Sequence, residues 1–236
     1  DKGGWTPLQI AAYHGRDGIV KMLIATGNVK KGTKDHQKQR TALHQACQRG
    51  HLDVIKALLS GNVVIDEVNT PDADGKTPLH CACEKGDVNV VKLLITTTPG
   101  KGGIAINQQD SNGATPLLTA ITQGSIEVVR TLLSVEGIEI NKGGEKSTMN
   151  TTTTPLHKAC EDGKVSLVKL LMGAVGIDKD CPDQNGSTPL HRACAKGHVD
   201  VVKVLLIKGV NKQLDDHNGK SSLMVAQENK FEEITP

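Results

Sequence analysis

Residues 77–95 read Thr77-Pro78-Leu79-His80-Cys81-Ala82-Cys83-Glu84-Lys85-Gly86-Asp87-Val88-Asn89-Val90-Val91-Lys92-Leu93-Leu94-Ile95, and residues 188–207 repeat the same grammar from Thr188-Pro189-Leu190-His191 to Leu205-Leu206-Ile207. The Thr hydroxyl suits a helix N-cap, where it accepts an otherwise orphaned backbone N–H. Pro follows at the first helical position, where its missing N–H costs nothing. Gly86 and Gly197, nine residues after the Thr, end a short first helix in the left-handed conformation that glycine adopts without a Cβ clash. A second helix follows, with Val90, Val91, Leu93, Leu94 and Ile95 on its apolar face.

Moving outward from these stretches, Thr-Pro-Leu recurs at Thr6, Thr115 and Thr154, with the variants Thr41-Ala42-Leu43 and Ser221-Ser222-Leu223. Successive starts lie 35, 36, 38, 39, 34 and 33 residues apart, so seven units tile nearly the whole chain. Two residues after the cap comes Leu8, Leu43, Leu79, Leu117, Leu156, Leu190 or Leu223. Three further on stands Ala11, Ala46, Ala82, Ala120, Ala159, Ala193 or Ala226, small enough to let neighbouring helices close up. After each second helix an extended stretch is expected, as in Ile104-Ala105-Ile106-Asn107 and Ile138-Glu139-Ile140-Asn141. It runs into turn signals at Asp72–Gly75, Asp110–Gly113, Asp183–Gly186 and Asp216–Gly219.

This pattern resembles the ankyrin-repeat family over roughly residues 1 to 230, seven copies in register. The resemblance implies an all-α fold with β-hairpin loops: a curved solenoid of antiparallel helix pairs with hairpins projecting like fingers, each unit touching only its neighbours. The chain is expected to be a single domain over 1–236, with repeats starting near 1, 36, 72, 110, 149, 183 and 216 and about thirteen helices. Two departures stand out. The finger before Arg40-Thr41-Ala42 lacks the turn Gly and is expected to be irregular. In the last unit Gln227 replaces a small apolar residue, as suits a terminal cap.

Composition agrees with thin layered packing. There is one Trp, one Tyr and one Phe, so the interior is built from Leu, Ile, Val and Ala. With 28 basic and 26 acidic residues, bulk charge demands neither nucleic acid nor anionic membrane. No apolar run reaches the roughly 18 to 20 residues that span a bilayer, and no signal-peptide pattern opens the chain. The start at Asp1 without Met predicts a fragment or a processed chain. Six cysteines are too few for a disulfide scaffold of this length, which predicts a reducing, cytoplasmic setting with the nucleus as the alternative. In such a setting the sequons at Asn150 and Asn185 are chance matches.

Histidine and cysteine invite catalytic or metal readings, yet both recur with the repeat. His44, His80, His157 and His191 lie three residues after the cap, and the resemblance implies that each bonds the backbone of an adjacent hairpin. Cys47, Cys83, Cys160 and Cys194 lie six after it, where Cys acts as a small buried apolar group. Equivalent positions form a ladder one repeat apart, whereas zinc needs clustered ligands; only Cys81 and Cys83 are close in sequence. Four identical Cys–His pairs cannot all be catalytic. The phosphate-loop look-alikes Gly27–Lys34 and Pro99–Gly103 fall in fingers rather than between a strand and a helix. No catalytic, cofactor-binding or metal-binding residue is predicted.

The resemblance places partner contacts on a concave side made of finger tips and the first helices' exposed face. The matching positions are Arg40, Asp74, Lys76, Asn112 and Asn185 around the turns, and the pairs seven and eight residues after the cap: Tyr13-His14, Gln48-Arg49, Glu84-Lys85, Thr122-Gln123, Glu161-Asp162 and Ala195-Lys196. They vary from unit to unit while the core columns do not. Trp5 and Tyr13, the sole Trp and Tyr, fall on this set and suit an interface anchor. Lys21, Lys56, Lys92, Arg130, Lys169 and Lys203 form a column fifteen after the cap and are expected on a solvated outer face. The finger at 27–40 carries Lys30, Lys31, Lys34, Lys38 and Arg40 against Asp35. The expected function is a non-catalytic scaffold that binds a protein or peptide, as a monomer, with no small-molecule substrate and no cofactor. The alternative is a regulatory or targeting segment of a larger enzyme, channel or transcriptional regulator. Nucleic acid is disfavoured by Glu84, Glu161 and Asp162 on the same face.

Overall fold

A computed structural model of the chain describes residues 4–60, 65–97, 103–144, 153–229 and 231, the side chains of 65 and 66 excepted. Contacts group the chain into two compact units, Asp1–Ser111 and Asn112–Pro236. The first holds α1 (Pro7–Tyr13), α2 (Asp17–Ala25), α3 (Ala42–Arg49), α4 (Leu52–Leu58), α5 (Ile65–Asn69), α6 (Pro78–Lys85) and α7 (Val88–Thr97). The second holds α8 (Pro116–Gln123), α9 (Ile126–Leu133), α10 (Pro155–Glu161), α11 (Val165–Leu171), α12 (Pro189–Lys196), α13 (Val199–Ile207) and α14 (Ser222–Glu228). Thirteen of these fourteen are the repeat helices; α5 is an extra turn of helix within a finger.

Each first helix begins at its predicted cap. Thr6, Thr115 and Thr154 accept the N–H of the third helical residue at 3.2, 3.2 and 3.4 Å. The glycines that follow take positive φ, from 67° at Gly163 to 80° at Gly124, as the left-handed ending requires. In the first unit α1 packs on α3 and α3 on α6, while α2 packs on α4 and α4 on α7. In the second, α8, α10, α12 and α14 form one layer and α9, α11 and α13 the other. The alanine column allows this close approach: Ala46 and Ala82, and in the second unit Ala120, Ala159, Ala193 and Ala226, are wholly buried. Leu43, Leu79, Val54, Val90 and Leu94 fill the first core, and Leu117, Leu156, Val128, Leu167 and Leu205 the second. Each such side chain contributes roughly 1.5 to 3 kcal/mol of burial. Gln227, in the last helix, is exposed.

The fingers are shorter in regular structure than the alternating pattern suggests. Among the described residues there is no sheet, only isolated bridges at Gly144–Thr153 and Asp215–Ser221. Ile106 and Ile140 tuck into the core, and the chain turns at Ile106-Asn107 instead of continuing as a strand. The tips are built by aspartates. Asp72 Oδ1 accepts the N–H of Asp74 and Lys76, both at 2.9 Å, and Asp183 Oδ1 those of Asn185 and Ser187 at 2.8 and 2.9 Å. A backbone bond from Asp72 to Lys76, or from Asp183 to Ser187, closes each tip. Where the turn Gly is missing, the closing bond runs instead from Asp35 to Arg40, one residue further, and Gln39 takes φ +54° in its place. The tips also bond to one another: Ala73 N–H donates to Lys38 O at 2.8 Å, and His217 N–H to Asn185 O at 2.9 Å. Of the two long fingers, 98–102 and 145–152 lie outside the described residues, as do the Asn150 sequon and most of Pro99–Gly103.

Candidate protein-binding surface

In four repeats the side chain just before the cap meets the one seven residues after it. Trp5 meets Tyr13 edge-on with ring centroids 5.3 Å apart. Arg40 Nη1 donates to Gln48 Oε1 at 2.8 Å, and Lys76 Nζ to Glu84 Oε1 at 2.9 Å. In the second unit Lys220 Nζ donates to Glu228 Oε2 at 2.6 Å in the same register. In these repeats the finger base and the first-helix face therefore form one continuous surface.

Most of the predicted contact residues reach solvent: His14, Arg49, Asp74, Lys85, Asn112, Thr122, Gln123, Asn185 and Lys196 are exposed, and Trp5, Tyr13, Gln48, Lys76, Glu84, Glu161, Asp162 and Ala195 partly so. Arg40 does not. It is 5% exposed, and its Nε lies 2.9 Å from Asp72 Oδ2 in a buried ion pair that ties two fingers together. The lengthened turn at Asp35 carries its side chain inward. The carboxylates that weighed against an anionic partner are also compensated by the chain itself. Glu84 is held by Lys76, and Glu161 lies 3.8 Å from Lys196 Nζ. Asp162 receives Lys158 at 2.8 Å and Lys164 at 3.0 Å; although burial pushes its pKa up, these lysines hold the carboxyl below its ordinary value.

Tyr13 gathers three neighbours on this surface. Trp5 and His14 meet its ring edge-on, the latter at 5.1 Å, and the Arg49 guanidinium lies 4.1 Å from its centroid and bonds its hydroxyl. An Arg over a Tyr face is attracted by the ring quadrupole, by about 0.5 to 1 kcal/mol at an exposed site.

The repeating histidines act within the stack. The backbone N–H of Thr41 donates to His44 Nδ1 at 3.2 Å, and Nε2 faces Lys76 O at 3.0 Å. A carbonyl only accepts, so Nε2 carries the proton and the ring is neutral. Burial drives the His44 pKa down to about 4, in keeping with that state. His157 and His191 reach Ser187 O and Lys220 O at 2.9 and 3.0 Å in the same way. The cysteines Cys47, Cys81, Cys83, Cys160 and Cys194 are buried free thiols. Burial pushes all five upward, Cys81 to about 12 and Cys194 to about 11, which suppresses the reactive thiolate. Among the described residues no group of three or more His, Cys, Asp or Glu side chains converges to hold a metal ion.

The column of cations fifteen after each cap is exposed throughout. Lys21, Lys56, Arg130 and Lys203 sit 2.9, 3.0, 3.7 and 4.0 Å from Asp17, Asp53, Glu127 and Asp200 on their own helices. This is a solvated face of local ion pairs. The basic finger is likewise put to internal use: Lys31 Nζ donates to Leu58 O and Ser60 O at the end of α4, and Lys34 Nζ to Pro71 O.

Lys31 belongs to a set of cross-repeat donors that the sequence reading overlooks. Lys179, at the same offset from its cap, donates to Lys208 O and Gly209 O beyond α13. The residue after the capping Gly does similar work. His51 Nε2 reaches Tyr13 O at 3.0 Å, His198 Nε2 reaches Glu161 O at 2.9 Å, and Lys164 Nζ reaches Ile121 O and Thr122 O at 2.8 and 2.7 Å. Asn69 clamps Gly103 O and the Ala105 N–H, and Asn141 clamps Gly176 O and the Asp178 N–H. The offsets were visible in the sequence, but the acceptors are carbonyls, which leave no mark there.

The helix pairs, capped first helices and aspartate-built fingers define an ankyrin-repeat solenoid, and the chain belongs to the ankyrin-repeat family: the model of ankyrin repeats matches in three copies, over residues 1–68, 62–143 and 156–235. Among solved structures, the ankyrin repeat domain of Bcl-3, a member of the IkappaB protein family, superposes with a TM-score of 0.83 and 26% identity over 98% of each chain. The ankyrin repeat domain of human ASB11 gives 0.74 and 31% identity, covering 94% of this chain and 92% of that one. Alpha-latrotoxin-Lhe1a of Latrodectus hesperus is 37% identical over 75 residues, 32% of this chain and 5% of the toxin. Human ankyrin repeat and SOCS box protein 2 is 38% identical over 71 residues, 29% of this chain and 11% of that protein. The chain thus spans a small part of the curated relatives it matches. Ankyrin repeats are protein–protein interaction modules, and this chain is built as one. No helix among the described residues is long and apolar enough to cross a membrane.

Proposed function

We propose that the chain works without catalysis, as a monomeric single array that holds a partner protein or peptide on the finger tips and exposed faces of the first helices. The observation that carries this reading is the contrast at fixed offsets. Caps, alanines and histidines repeat because stacking needs them, whereas the solvent-facing pairs Tyr13-His14, Gln48-Arg49, Glu84-Lys85, Thr122-Gln123, Glu161-Asp162 and Ala195-Lys196 differ in size and charge from one repeat to another. A frame that is constant inside and varied on one face is suited to a custom contact surface. The reading includes a cytoplasmic or nuclear setting, where the thiols stay reduced, and needs no small-molecule substrate, nucleic acid or cofactor.

Crosslinking mass spectrometry on native extract, with the chain as bait, tests it. Partner crosslinks should concentrate on Lys76, Lys85 and Lys196 and avoid Lys21, Lys56, Lys92, Lys169 and Lys203. The reverse distribution would sink the proposal. A second reading, that the chain is the regulatory or targeting part of a larger protein, is favoured by its matching only 5% and 11% of two curated relatives. Immunoblotting the native gene product for a mass well above 25.0 kDa decides it.

A further inference from the structure

Within Asp1–Ser111 the position eight residues after each cap is held by His14 at the C-cap of α1 and by Arg49 and Lys85 on α3 and α6, and the three helices pack in that order. All three are exposed, and neither Arg49 nor Lys85 forms an ion pair among the described residues. They converge in space. A Cβ on Gly50, the neighbour of Arg49, would lie 3.8 Å from Lys85 Cε. The imidazole of His51, whose pKa is lowered first by burial, is lowered further by the charges of Arg49, His14 and Lys85 together. Two carboxylates stand nearby: Glu84 is paired with Lys76, and Asp87, whose Oδ2 would lie 3.1 Å from the same Cβ on Gly50, accepts the N–H groups of Asn89 and Val90 on Oδ1 at 3.0 and 3.2 Å. Asp74 stands out on the fingertip. The corresponding column of the second unit is Gln123, Asp162, Lys196 and Asn229, mixed in character, with Asp162 and Lys196 compensated by neighbouring charges. The positive column is therefore a property of the first unit.

Its spacing carries information. Stacked helices lie about 8 to 10 Å apart, and an extended chain advances about 3.3 Å per residue, so one step along the column equals about three residues of a bound strand. The Arg49 guanidinium has five N–H donors and gives one to the Tyr13 hydroxyl, which leaves a face for a carboxylate. Trp5 and Tyr13, at the end of the column, offer a half-buried aromatic edge. We infer that this face reads an extended acidic segment of the partner protein, with carboxylates three residues apart on Arg49 and Lys85 and an apolar side chain against Trp5 and Tyr13. The inference rests on the binding face proposed above and names the chemistry of what that face takes.

Fluorescence anisotropy with the full chain tests it. The probe is a labelled peptide, Leu-Ser-Ser-Asp-Ser-Ser-Asp-Ser-Ser-Asp, set against one with its three aspartates adjacent and one with lysines in their place. The spaced acidic peptide should bind best and weaken with salt, while the lysine peptide should not bind. Arg49→Glu with Lys85→Glu should weaken binding about tenfold or more, as should the milder Arg49→Gln with Lys85→Gln to a smaller degree. Lys56→Glu with Lys92→Glu, on the second helices of the same unit, should leave it unchanged. Circular dichroism confirms that each variant is folded. Equal binding of all three peptides, or an affinity indifferent to both Arg49/Lys85 variants, overturns the inference. Tighter binding of a single-stranded oligonucleotide at the same site overturns it too. If partner crosslinks still map to this face while these variants bind as before, the acidic-segment inference fails and the proposed face stands; if the crosslinks lie elsewhere, the face itself fails.

Discussion

Arg40 is the residue whose surroundings most contradict its sequence position, and its replacement by Met is the sharpest test of the structure. Its side chain and that of Asp72 are 6% and 1% exposed, with Nε and Oδ2 2.9 Å apart. Removing one partner of a buried pair leaves an uncompensated charge, which costs about 3 to 5 kcal/mol. Asp72 keeps two backbone donors, from Asp74 and Lys76, after Arg40 is gone. The lower end, about 3 kcal/mol, is therefore expected for Arg40→Met. In a chain of this size that corresponds to a fall in Tm of roughly 6 to 12 °C. Asp72→Asn should cost a similar amount, because it buries an unpaired guanidinium while its Oδ1 still accepts the fingertip N–H groups. The double variant removes both charges and keeps those acceptors, so it should lie within about 1 kcal/mol of the wild type. Urea unfolding of the four proteins at neutral pH gives the cycle. The reasoning fails if either single variant stays within about 1 kcal/mol of wild type, or if the two losses simply add.

Three other outcomes follow from the geometry. The folded-state pKa of His44, about 4 against an ordinary 6.5, means that the unfolded chain takes up the proton first. Stability held above pH 6.5 is therefore lost as pH falls towards 4, by about 3 kcal/mol for this residue, with His157 adding in the same direction; thermal melts from pH 7 to 4 should show the loss, and His44→Gln should flatten it. Gly15→Ala should destabilise more than Gly124→Ala. Both glycines have positive φ, but a Cβ on Gly15 would lie 2.8 Å from the His51 ring, whereas on Gly124 it meets only Lys164 Cε at 3.8 Å; denaturant midpoints showing equal losses would contradict this. Finally, a chromogenic disulfide reagent at pH 8 should label Cys181 in the native chain and the five buried thiols only after unfolding, and rapid labelling of all six would show that the core is not as packed as described.

What the sequence displays is whatever each repeat must solve by itself. Thr caps, the alanine column and the left-handed glycines are demanded by one helix pair, recur at fixed offsets and could be read directly. The histidines recur at a fixed offset too, but their bond to the next repeat was expected from the family resemblance. Arg40 was misjudged because its position suggests a fingertip, while its burial depends on the longer turn at Asp35 and on an acceptor, Asp72, thirty-two residues away. The fingers were expected as strands from Ile104–Asn107 and Ile138–Asn141, but Ile106 and Ile140 alternate because they plug the core beside a turn. The proposed contact surface was read from its variation. Its charge balance was not, since it depends on which lysines reach Glu84, Glu161 and Asp162.

Many of the bonds that join one repeat to the next end on main-chain oxygens: His44 on Lys76 O, His51 on Tyr13 O, Lys31 on Leu58 O, His157 on Ser187 O, Lys179 on Gly209 O. A carbonyl is supplied by every residue type, so at these joints the receiving repeat owes its neighbour no particular side chain. Duplication, loss or exchange of a unit by recombination leaves these carbonyl-ended joints intact, and mutations can accumulate on the exposed face without disturbing them. The lineage of such a chain is free to change what it holds while keeping how it stands.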